Sequence, residues 1–298
     1  MYVATVDAGG TRTRFELRGP DGTVRCSHAG TTCHPAQVGL DAMARMLREG
    51  VERVASAAGA PMASTAVSLG VAGYGPGREG AVETALEDAF GDAAALLVAS
   101  DAEVARVGAL GGADGVLVVA GTGSIAVGSF DGLPVRVGGW GWPVGDEGSG
   151  AWLGREAVGL VLRRHDGRDP AGPLLDAAVC EALAVDSPEA IAGALAASRD
   201  QRRLLARAAP AAVSSARGGD GGAQALVARA ATELARLANR AAEGHPGAPV
   251  SWTGGLFSAG DAVLGPFKAA LDDTLVPLAP QGTPLDGAWM RAVRALNL

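Results

Sequence analysis

The chain has 298 residues, of which 48% are hydrophobic and 19% are charged, a composition typical of a globular protein with one large or two ordinary domains. Its formal net charge of −7 argues against binding to nucleic acid or to anionic membrane surfaces. No apolar run reaches the roughly 18 residues needed to span a bilayer, and the first residues lack the features of a signal peptide. We therefore expect a cytoplasmic protein without a membrane partner.

Cysteine and lysine restrict the chemistry further. Cys26, Cys33 and Cys180 show no CxC or CxxC spacing, so neither a zinc site nor a disulfide framework is indicated. Lys268 is the only lysine and lacks the sequence context of a GxxxxGK[ST] phosphate loop. A nucleotide would therefore have to be bound by backbone amides, hydroxyl groups and a metal ion.

The first third of the sequence predicts strands and helices in alternation. A β-branched run over 2–6 ends at Asp7, an alternating stretch over 13–19 follows, and a third strand is expected near Val24. Further elements are expected as a helix over 35–58, a strand over 66–73, a helix over 79–90 and a strand over 95–100. The last of these strands places Asp101 at its C-terminal end.

Residues 115–139 repeat the opening pattern of strand, glycine turn, strand, DG turn and strand. Two copies of such a meander predict two similar α/β domains that face each other across a ligand-binding cleft. We expect the first domain over 1–108 and the second over 109–298. The second includes a mainly helical section over 149–245, and a terminal helix over 284–298 is expected to dock on the first domain.

The two glycine turns, at 8–11 and 120–124, each follow a buried strand and contain a threonine. Glycine leaves backbone N–H groups accessible to phosphate oxygens because it has no Cβ. The sequence therefore predicts phosphate contacts at two sets of residues, namely Gly9, Gly10 and Thr11 in the first turn, and Gly121, Thr122 and Gly123 in the second. Asp7 is placed to hold Mg²⁺ through water molecules.

Asp101 and the stretch WTGG at 252–255 each allow two interpretations. Asp101 directly precedes a predicted helix, where it could be an N-cap, or it could be a general base that accepts a proton from a hydroxyl during phosphoryl transfer. Gly254 and Gly255 could form a simple turn beside a core tryptophan. In a nucleotide-binding protein they would let the backbone pass close to adenine and ribose.

Residues 138–150, GGWGWPVGDEGSG, combine glycine, bulky tryptophans and adjacent carboxylates. Glycine allows close approach of another group, while tryptophan supplies a rigid apolar wall with one N–H donor. This composition indicates a loop that wraps a polar ligand, and Ser149 is expected to begin the helix that follows.

The motifs DAGGTRT, VASDA, VAGTGSIAVG, GGWGWPVGDEGSGAWLGREAV and WTGGL occur in this order. Together they resemble the N-acetylglucosamine kinase branch of the BadF/BadG/BcrA/BcrD ATPase family, within the sugar kinase, heat-shock protein 70 and actin superfamily. The resemblance covers 1–155 closely and 250–298 more loosely. It implies two ribonuclease-H-like domains, ATP and Mg²⁺ as cofactors, and a possible homodimer.

By the same resemblance, Asp7, Gly9, Gly10 and Thr11 match the first phosphate motif, the turn at 121–123 matches the second, and Gly254 and Gly255 match the adenosine motif. Asp101 matches the catalytic aspartate. The residues that approach the sugar would be Gly139, Trp140, Asp146 and Glu147. As a second interpretation, Asp146 would help to order the metal shell.

One departure from the family pattern concerns the sugar. Where relatives that bind N-acetylhexosamines carry an asparagine, GTTCHPAQVG has His34. His34 would either face the sugar and change its hydrogen-bonding pattern or act as a cap or surface residue. Gly73, in VAGYGPG at 71–77, is predicted to contribute a second substrate loop through its amide.

These features predict an ATP-dependent kinase of an amino sugar, most simply N-acetylglucosamine or glucosamine, acting at the C6 hydroxyl. The alternative is an ATPase activator of a dehydratase-type enzyme, driven by ATP-dependent domain closure. Such activators bind an iron–sulfur cluster through cysteines, and the cysteines here lack that context. A zinc-containing glucokinase relative is disfavoured because no CxCGxxGC pattern is present.

Overall fold

The computed structural model describes residues 1–75 and 77–298. The chain divides into two compact units, one formed by Met1–Ala113 with Ala279–Leu298 and the other by Asp114–Leu278. The first unit thus runs a few residues beyond the boundary at 108 that we expected, and it includes the end of the chain. No helix within the described ranges is both long and apolar enough to cross a membrane.

The first unit is built on a five-stranded sheet with the order β3-β2-β1-β4-β5. Its strands are β1 (Tyr2–Ala8), β2 (Arg12–Arg18), β3 (Val24–Thr31), β4 (Thr65–Val71) and β5 (Ala95–Ser100). β1, β2 and β3 form an antiparallel meander, whereas β4 runs parallel to both β1 and β5. The carboxyl ends of β1, β4 and β5 therefore lie at the same edge of the sheet.

Four helices follow these strands in the first unit. They are α1 (Pro35–Val38), α2 (Leu40–Ala57), α3 (Glu79–Phe90) and α4 (Asp101–Ala109). The prediction of a single helix over 35–58 was wrong, because Gly39 divides this segment into α1 and α2. Its φ of 85° lies in the left-handed region that favours glycine, so the first turn cannot continue as one straight helix.

The last helix, α12 (Pro284–Leu296), also belongs to the first unit. Thr283 and Asp286 form a reciprocal capping box at its start. Two glycines allow close packing against α4: a Cβ at Gly108 would lie 2.0 Å from the Thr283 carbonyl oxygen, and one at Gly287 would lie 1.9 Å from that of Val104. Any larger residue at either position would force the two helices apart.

The second unit repeats the same sheet, with the order β10-β9-β6-β7-β8. Its strands are β6 (Gly115–Ala120), β7 (Ser124–Phe130), β8 (Leu133–Gly138), β9 (Pro249–Thr253) and the short β10 (Val276–Pro277). β6, β7 and β8 are antiparallel neighbours, whereas β9 is parallel to β6 and β10. The repeated topology confirms the predicted pair of ribonuclease-H-like units.

The helical section of the second unit packs on this sheet through small side chains. Its helices are α5 (Gly150–His165), α6 (Pro173–Leu183), α7 (Ile191–Ala197), α8 (Gln201–Ala206), α9 (Ala208–Arg217), α10 (Gly221–Ala241) and α11 (Asp261–Ala269). Buried alanines and leucines of α10 line the core of this unit. The side chain of Arg164 is 6% exposed and joins α5 to Asp176 and Asp220, at 3.1 and 2.8 Å.

Candidate active site

Asp7 lies at the carboxyl end of β1, directly opposite Arg14 of β2 in the antiparallel register. Its buried carboxylate accepts a hydrogen bond from Nη2 of Arg14 at 2.8 Å. Loss of solvent on burial raises the pKa of Asp7, although the neighbouring guanidinium acts in the opposite direction. Arg14 itself is half-exposed, so this counter-ion stands at the border between the site and solvent.

Asp101 is the first residue of α4 and follows β5 without an intervening loop. The N-cap is Ser100, whose hydroxyl oxygen accepts from the backbone N–H of Glu103 at 3.1 Å. The interpretation of Asp101 as the N-cap was therefore wrong. Its Oδ1 accepts from the N–H of Ala102 at 2.9 Å.

The carboxyl groups of Asp101 and Asp7 influence each other. Desolvation, reinforced by the negative charge of Asp7, raises the pKa of Asp101 to about 6. A carboxyl with such a pKa can both accept and release a proton near neutral pH. Because β1, β4 and β5 are parallel neighbours, their order brings these two carboxylates to the same sheet edge.

The first glycine turn joins β1 to β2 and is held through its carbonyl groups. The hydroxyl of Thr32 donates to the Gly9 carbonyl at 3.1 Å, and Nε2 of Gln37 donates to the Gly10 carbonyl at 3.0 Å. Thr11 is exposed. A Cβ built on Gly10 meets no described atom within 4 Å, so the space in front of this backbone is open to a ligand.

His34 and Gly73, both predicted to contact the sugar, lie next to each other in the first unit. A Cβ on Gly73 would be 3.0 Å from Cε1 of the His34 ring, and the φ of 83° at Gly73 favours glycine as well. His34 is also the N-cap of α1, with Nδ1 accepting from the N–H of Ala36 at 3.1 Å. The cap interpretation is thus confirmed, and the cap hydrogen bond holds the imidazole ring beside Gly73. Pro76 of the predicted substrate loop lies outside the described residues.

The second glycine turn, 121–123, joins β6 to β7 and is tied to the start of α5. The N–H groups of Gly150 and Ala151 donate to the carbonyls of Gly121 and Thr122 at 2.8 and 3.2 Å. Ser149 caps α5 as predicted, through a 3.2 Å bond from the N–H of Trp152. A Cβ on Gly121 would meet nothing within 4 Å among the described residues. One side of this turn is therefore hydrogen-bonded to the start of α5, and the other side has open space in front of it.

Gly254 and Gly255 follow β9 and lie beside the end of β6. Gly254 has a φ of 109°, and a Cβ there would lie 2.3 Å from the Ala120 carbonyl oxygen. That oxygen accepts the N–H of Leu256 at 3.0 Å. Because β6 and β9 are parallel neighbours, the predicted adenosine motif and the second phosphate turn meet at one sheet edge of the second unit.

A cavity of about 830 Å³ is lined in part by the segment that begins at Ser258, three residues after Gly255. Helices α9 and α10 form one side and the segment 258–266 forms the other. Its polar lining comes from Arg217, Gln224, Ser258 and Asp261. The sequence did not single out these residues, because their helices carry only the ordinary amphipathic pattern.

The loop over 138–150 presents its predicted sugar-binding residues in different ways. The Trp140 ring is 82% exposed and stacks loosely under the Arg136 guanidinium, while Glu147 is half-buried. Gly139 has a φ of 68°, and a Cβ there would collide with the side chain of Ile125.

Asp146, in the same loop, is 3% exposed, and its Oδ2 accepts from Nη2 of Arg202 at 2.8 Å. The pair lies against the second glycine turn, since a Cβ on Gly123 would be 2.2 Å from Nη2 of Arg202. The sequence did not predict Arg202, which is separated from Asp146 by most of the helical section. No sequence signal pointed to Arg202, because the single lysine led us to expect backbone amides, hydroxyl groups and a metal ion around phosphate.

Within the described residues, no group of three or more histidine, cysteine, aspartate or glutamate side chains could hold a metal ion. Mg²⁺ does not require such a group, because it keeps several waters and binds through one or two carboxylates. Asp7 and Asp101 fit that requirement, since both are desolvated carboxyls whose negative charges repel each other.

Duplicated ribonuclease-H-like units with a glycine turn after the first strand of each define an ATPase of the actin-like class. The sequence matches one family of this class over residues 5–277. The chain belongs to the BadF/BadG/BcrA/BcrD ATPase family, which confirms the family predicted from its motifs. This membership implies ATP binding.

Individual relatives point to sugar kinases. The chain is 28% identical to an N-acetylmuramic acid/N-acetylglucosamine kinase of Clostridium acetobutylicum over 56% of its length. It is 29% identical to a glucosamine kinase of Vibrio cholerae over 59% of its length. These matches span 55% and 59% of the relatives' own lengths, little more than half of each.

A solved structure from Chromobacterium violaceum, a candidate N-acetylglucosamine kinase, is similar over nearly the entire chain. It is 34% identical, with a TM-score of 0.80, over 97% of this chain and 98% of that one. The similarity confirms the predicted fold class, and the named relatives agree with the predicted class of enzyme.

Proposed function

We propose that this protein is an ATP-dependent kinase that phosphorylates an amino sugar, N-acetylglucosamine or glucosamine, at its C6 hydroxyl. The relatives named as kinases of these sugars support the substrate class. The observation that carries the proposal is Asp101, a carboxyl with a pKa of about 6 beside Asp7 at the edge where the first glycine turn lies.

In the proposed reaction, Asp101 accepts the proton of the sugar hydroxyl as that oxygen attacks the γ-phosphorus of ATP. The bond from the γ-phosphorus to the bridging oxygen of ADP breaks, and the sugar phosphate leaves with the transferred group. The Asp101 carboxyl then releases its proton to solvent, which its raised pKa makes easy near neutral pH.

The second unit is proposed to hold the nucleotide. Gly121 and Gly255 leave open space before their backbones, so phosphate and ribose oxygens can approach the chain there. The cavity of about 830 Å³ that follows Gly255 has a size suited to an adenine ring with its ribose. In the first unit, Gly10 and Thr11 are proposed as phosphate contacts.

Mg²⁺ is proposed to bind near Asp7 through water molecules. When bound, it neutralises charge that develops on the transferred phosphoryl group. Asp7 would hold the hydrated ion. The charge of its carboxylate is also balanced by the ion pair with Arg14.

In the first unit, His34 and Gly73 are proposed as sugar contacts. In the second unit, Gly139, Trp140 and Glu147 are kept as predicted sugar contacts. Carboxylate oxygens and glycine amides provide the mixture of acceptors and donors that several hydroxyls need. The position of His34 beside Gly73 supports its inclusion, since the cap bond to Ala36 holds the ring there.

The experiment that tests this proposal is ADP release from ATP over a panel of amino sugars and neutral hexoses, with wild type and Asp101→Asn. We expect release that depends on an amino sugar and collapses in the variant. Equal release without any sugar, unchanged by Asp101→Asn, would contradict the kinase proposal and favour the alternative of an ATPase activator.

A further inference from the structure

Arg202 lies on α8, in the part of the helical section that carries no recognisable motif. Its helix is fixed by Asp200, whose side chain accepts from the N–H of Arg203 at 2.9 Å. From there the Arg202 side chain reaches the second glycine turn. A Cβ on Gly123 would lie 2.2 Å from Nη2 of Arg202, so the guanidinium lies directly against this turn and a side chain there would displace it.

The guanidinium is held by one carboxylate and is not fully engaged. Nη2 donates to Oδ2 of Asp146 at 2.8 Å, with side-chain exposures of 38% for Arg202 and 4% for Asp146. The Nε atom of Arg202 is buried and, within the described ranges, has no hydrogen-bond partner. A buried donor without a partner on a charged group is unfavourable, and an anionic ligand would offset that cost.

Arg164 also has a buried Nε without a partner among the described residues, so Arg202 differs from it in exposure and in the contacts of its terminal nitrogens. The Arg164 side chain is 6% exposed and bonds to two carboxylates and the Gly172 carbonyl, as expected of an arginine that joins helices. Arg202 is more exposed, has a single carboxylate partner, and lies against a turn whose Gly121 faces open space.

With one lysine in the chain, a positively charged side chain that joins the predicted backbone amides, hydroxyl groups and metal ion around phosphate would be an arginine. Lys268, the single lysine, lies over the ring of Trp252 with Nζ 4.8 Å from the ring centroid. The planar guanidinium of arginine matches phosphate oxygens with two parallel hydrogen bonds, which an ammonium group cannot do.

We propose that Arg202 contacts the terminal phosphates of the bound nucleotide at the second glycine turn, and that Asp146 positions its guanidinium there. The inference rests on the proposed kinase function and adds a catalytic residue to it. It also assigns Asp146 to arginine positioning in place of the sugar and metal roles considered from the sequence.

The test is calorimetric binding of two ligands, the non-hydrolysable ATP analogue AMPPNP with Mg²⁺ and AMP, to wild type and Arg202→Gln. Both ligands carry adenosine, but AMP lacks the terminal phosphates. We expect the variant to lose tenfold or more in AMPPNP affinity and to retain wild-type affinity for AMP. The neighbouring exposed Arg203→Gln on the same helix is the matched control and should change neither affinity.

Two further variants keep the test informative if Arg202→Gln folds poorly. Arg202→Lys keeps the charge but loses the two-pronged geometry, so its AMPPNP affinity should lie between wild type and Arg202→Gln. Asp146→Asn removes the anchor, and asparagine tolerates the left-handed φ of 63° at this position. It should weaken AMPPNP binding severalfold and leave AMP binding unchanged.

Equal losses for AMPPNP and AMP, or no loss beyond that of Arg203→Gln, would overturn the inference, because a purely structural ion pair predicts those results. This failure differs from failure of the proposed function. If the proposed function is wrong, the wild-type protein itself will show no amino-sugar-dependent ADP release, whatever the result for Arg202.

Discussion

The two glycine turns follow the first strands of equivalent sheets, and each has a carboxylate–arginine pair beside it. At the first turn, Asp7 pairs with Arg14, its direct neighbour across a hairpin. At the second turn, Asp146 pairs with Arg202, brought in by a helix far along the chain. The first turn has an additional carboxyl nearby, Asp101, whereas the pair at the second turn is balanced.

This difference indicates a division of chemical roles. Two carboxylates and one arginine leave an excess of negative charge at the first turn, which suits a hydrated cation and a general base. A balanced pair whose arginine retains an unsatisfied donor suits an anionic phosphate instead. We propose that a few side chains at equivalent turns give the two units of this duplicated fold different roles.

The largest effect is expected for Asp101→Asn, which removes the proposed base at the first turn. General-base catalysis typically contributes about 10²–10⁴-fold, so kcat should fall by that order while ATP binding changes little. Steady-state kinetics with N-acetylglucosamine measure both quantities. A kcat within a few-fold of wild type would remove Asp101 from the chemistry.

The same substitution should stabilise the protein in the absence of ligands. The rise in the pKa of Asp101 from 3.8 to about 6 means that ionisation of the buried carboxyl costs about 3 kcal/mol. Asparagine avoids this cost and keeps an acceptor for the N–H of Ala102. Chemical denaturation at pH 7 should therefore show a gain for Asp101→Asn, and none for the exposed Asp88→Asn.

The size of this stability gain depends on pH. A carboxyl with a raised pKa contributes its stability fully below about pH 4, and that contribution is lost as the pH rises through about 6. The difference in unfolding free energy between Asp101→Asn and wild type should thus vanish near pH 4. A difference that stays constant from pH 4 to pH 7 would show that burial of this charge is not its cause.

The activity of the wild type should also depend on the Asp101 carboxyl, but it should rise with pH where the stability falls. A general base acts only when deprotonated, so kcat/KM should rise about tenfold per pH unit below pH 6 and level off above it. A pH–rate profile of the wild type measures this limb. A profile that is flat between pH 5 and pH 8 is incompatible with Asp101 as the base.

Gly10→Ala and Gly121→Ala form a matched pair across the two turns. A methyl group fits both positions without contact in the described structure, so stability should change by less than about 1 kcal/mol. If phosphates approach these backbones, each variant should raise the KM for ATP about tenfold. An unchanged KM at one turn would show that the nucleotide avoids that turn.

His34→Asn is expected to have the smallest effect, on sugar choice alone. Asparagine is a good N-cap, so the start of α1 should be kept, whereas His34→Ala should lose about 1 kcal/mol with the cap. The ratio of kcat/KM for N-acetylglucosamine over glucosamine should shift severalfold in His34→Asn. An identical ratio would place His34 outside the sugar contacts.

The sequence predicted much of the fold because the determining patterns are local. The strand that ends in Asp7, the helix over 79–90 and the strand before Asp101 all carry clear periodicity, and the structure has them with nearly the same bounds. The break at Gly39 was missed because the apolar spacing continues across it, while the backbone conformation there does not.

The site was predicted less completely, for a related reason. Asp7, Asp101 and the glycine turns stand at the ends of strands, where sequence order and position agree. Arg14 was overlooked because it is part of an ordinary alternating strand, and Arg202 because only the tertiary packing of α8 brings it to Asp146. Contacts between residues so distant in sequence leave no local pattern to detect.

The central claim, that the phosphoryl group passes from ATP to a sugar hydroxyl, is tested most directly by ³¹P NMR of wild-type protein with ATP, Mg²⁺ and N-acetylglucosamine. The account predicts ADP and an equal amount of a phosphomonoester whose signal is split by the two C6 protons. Glucosamine should give the corresponding ester if it is the preferred sugar. ADP with orthophosphate in place of the phosphomonoester, formed at the same rate without any sugar, would contradict the account.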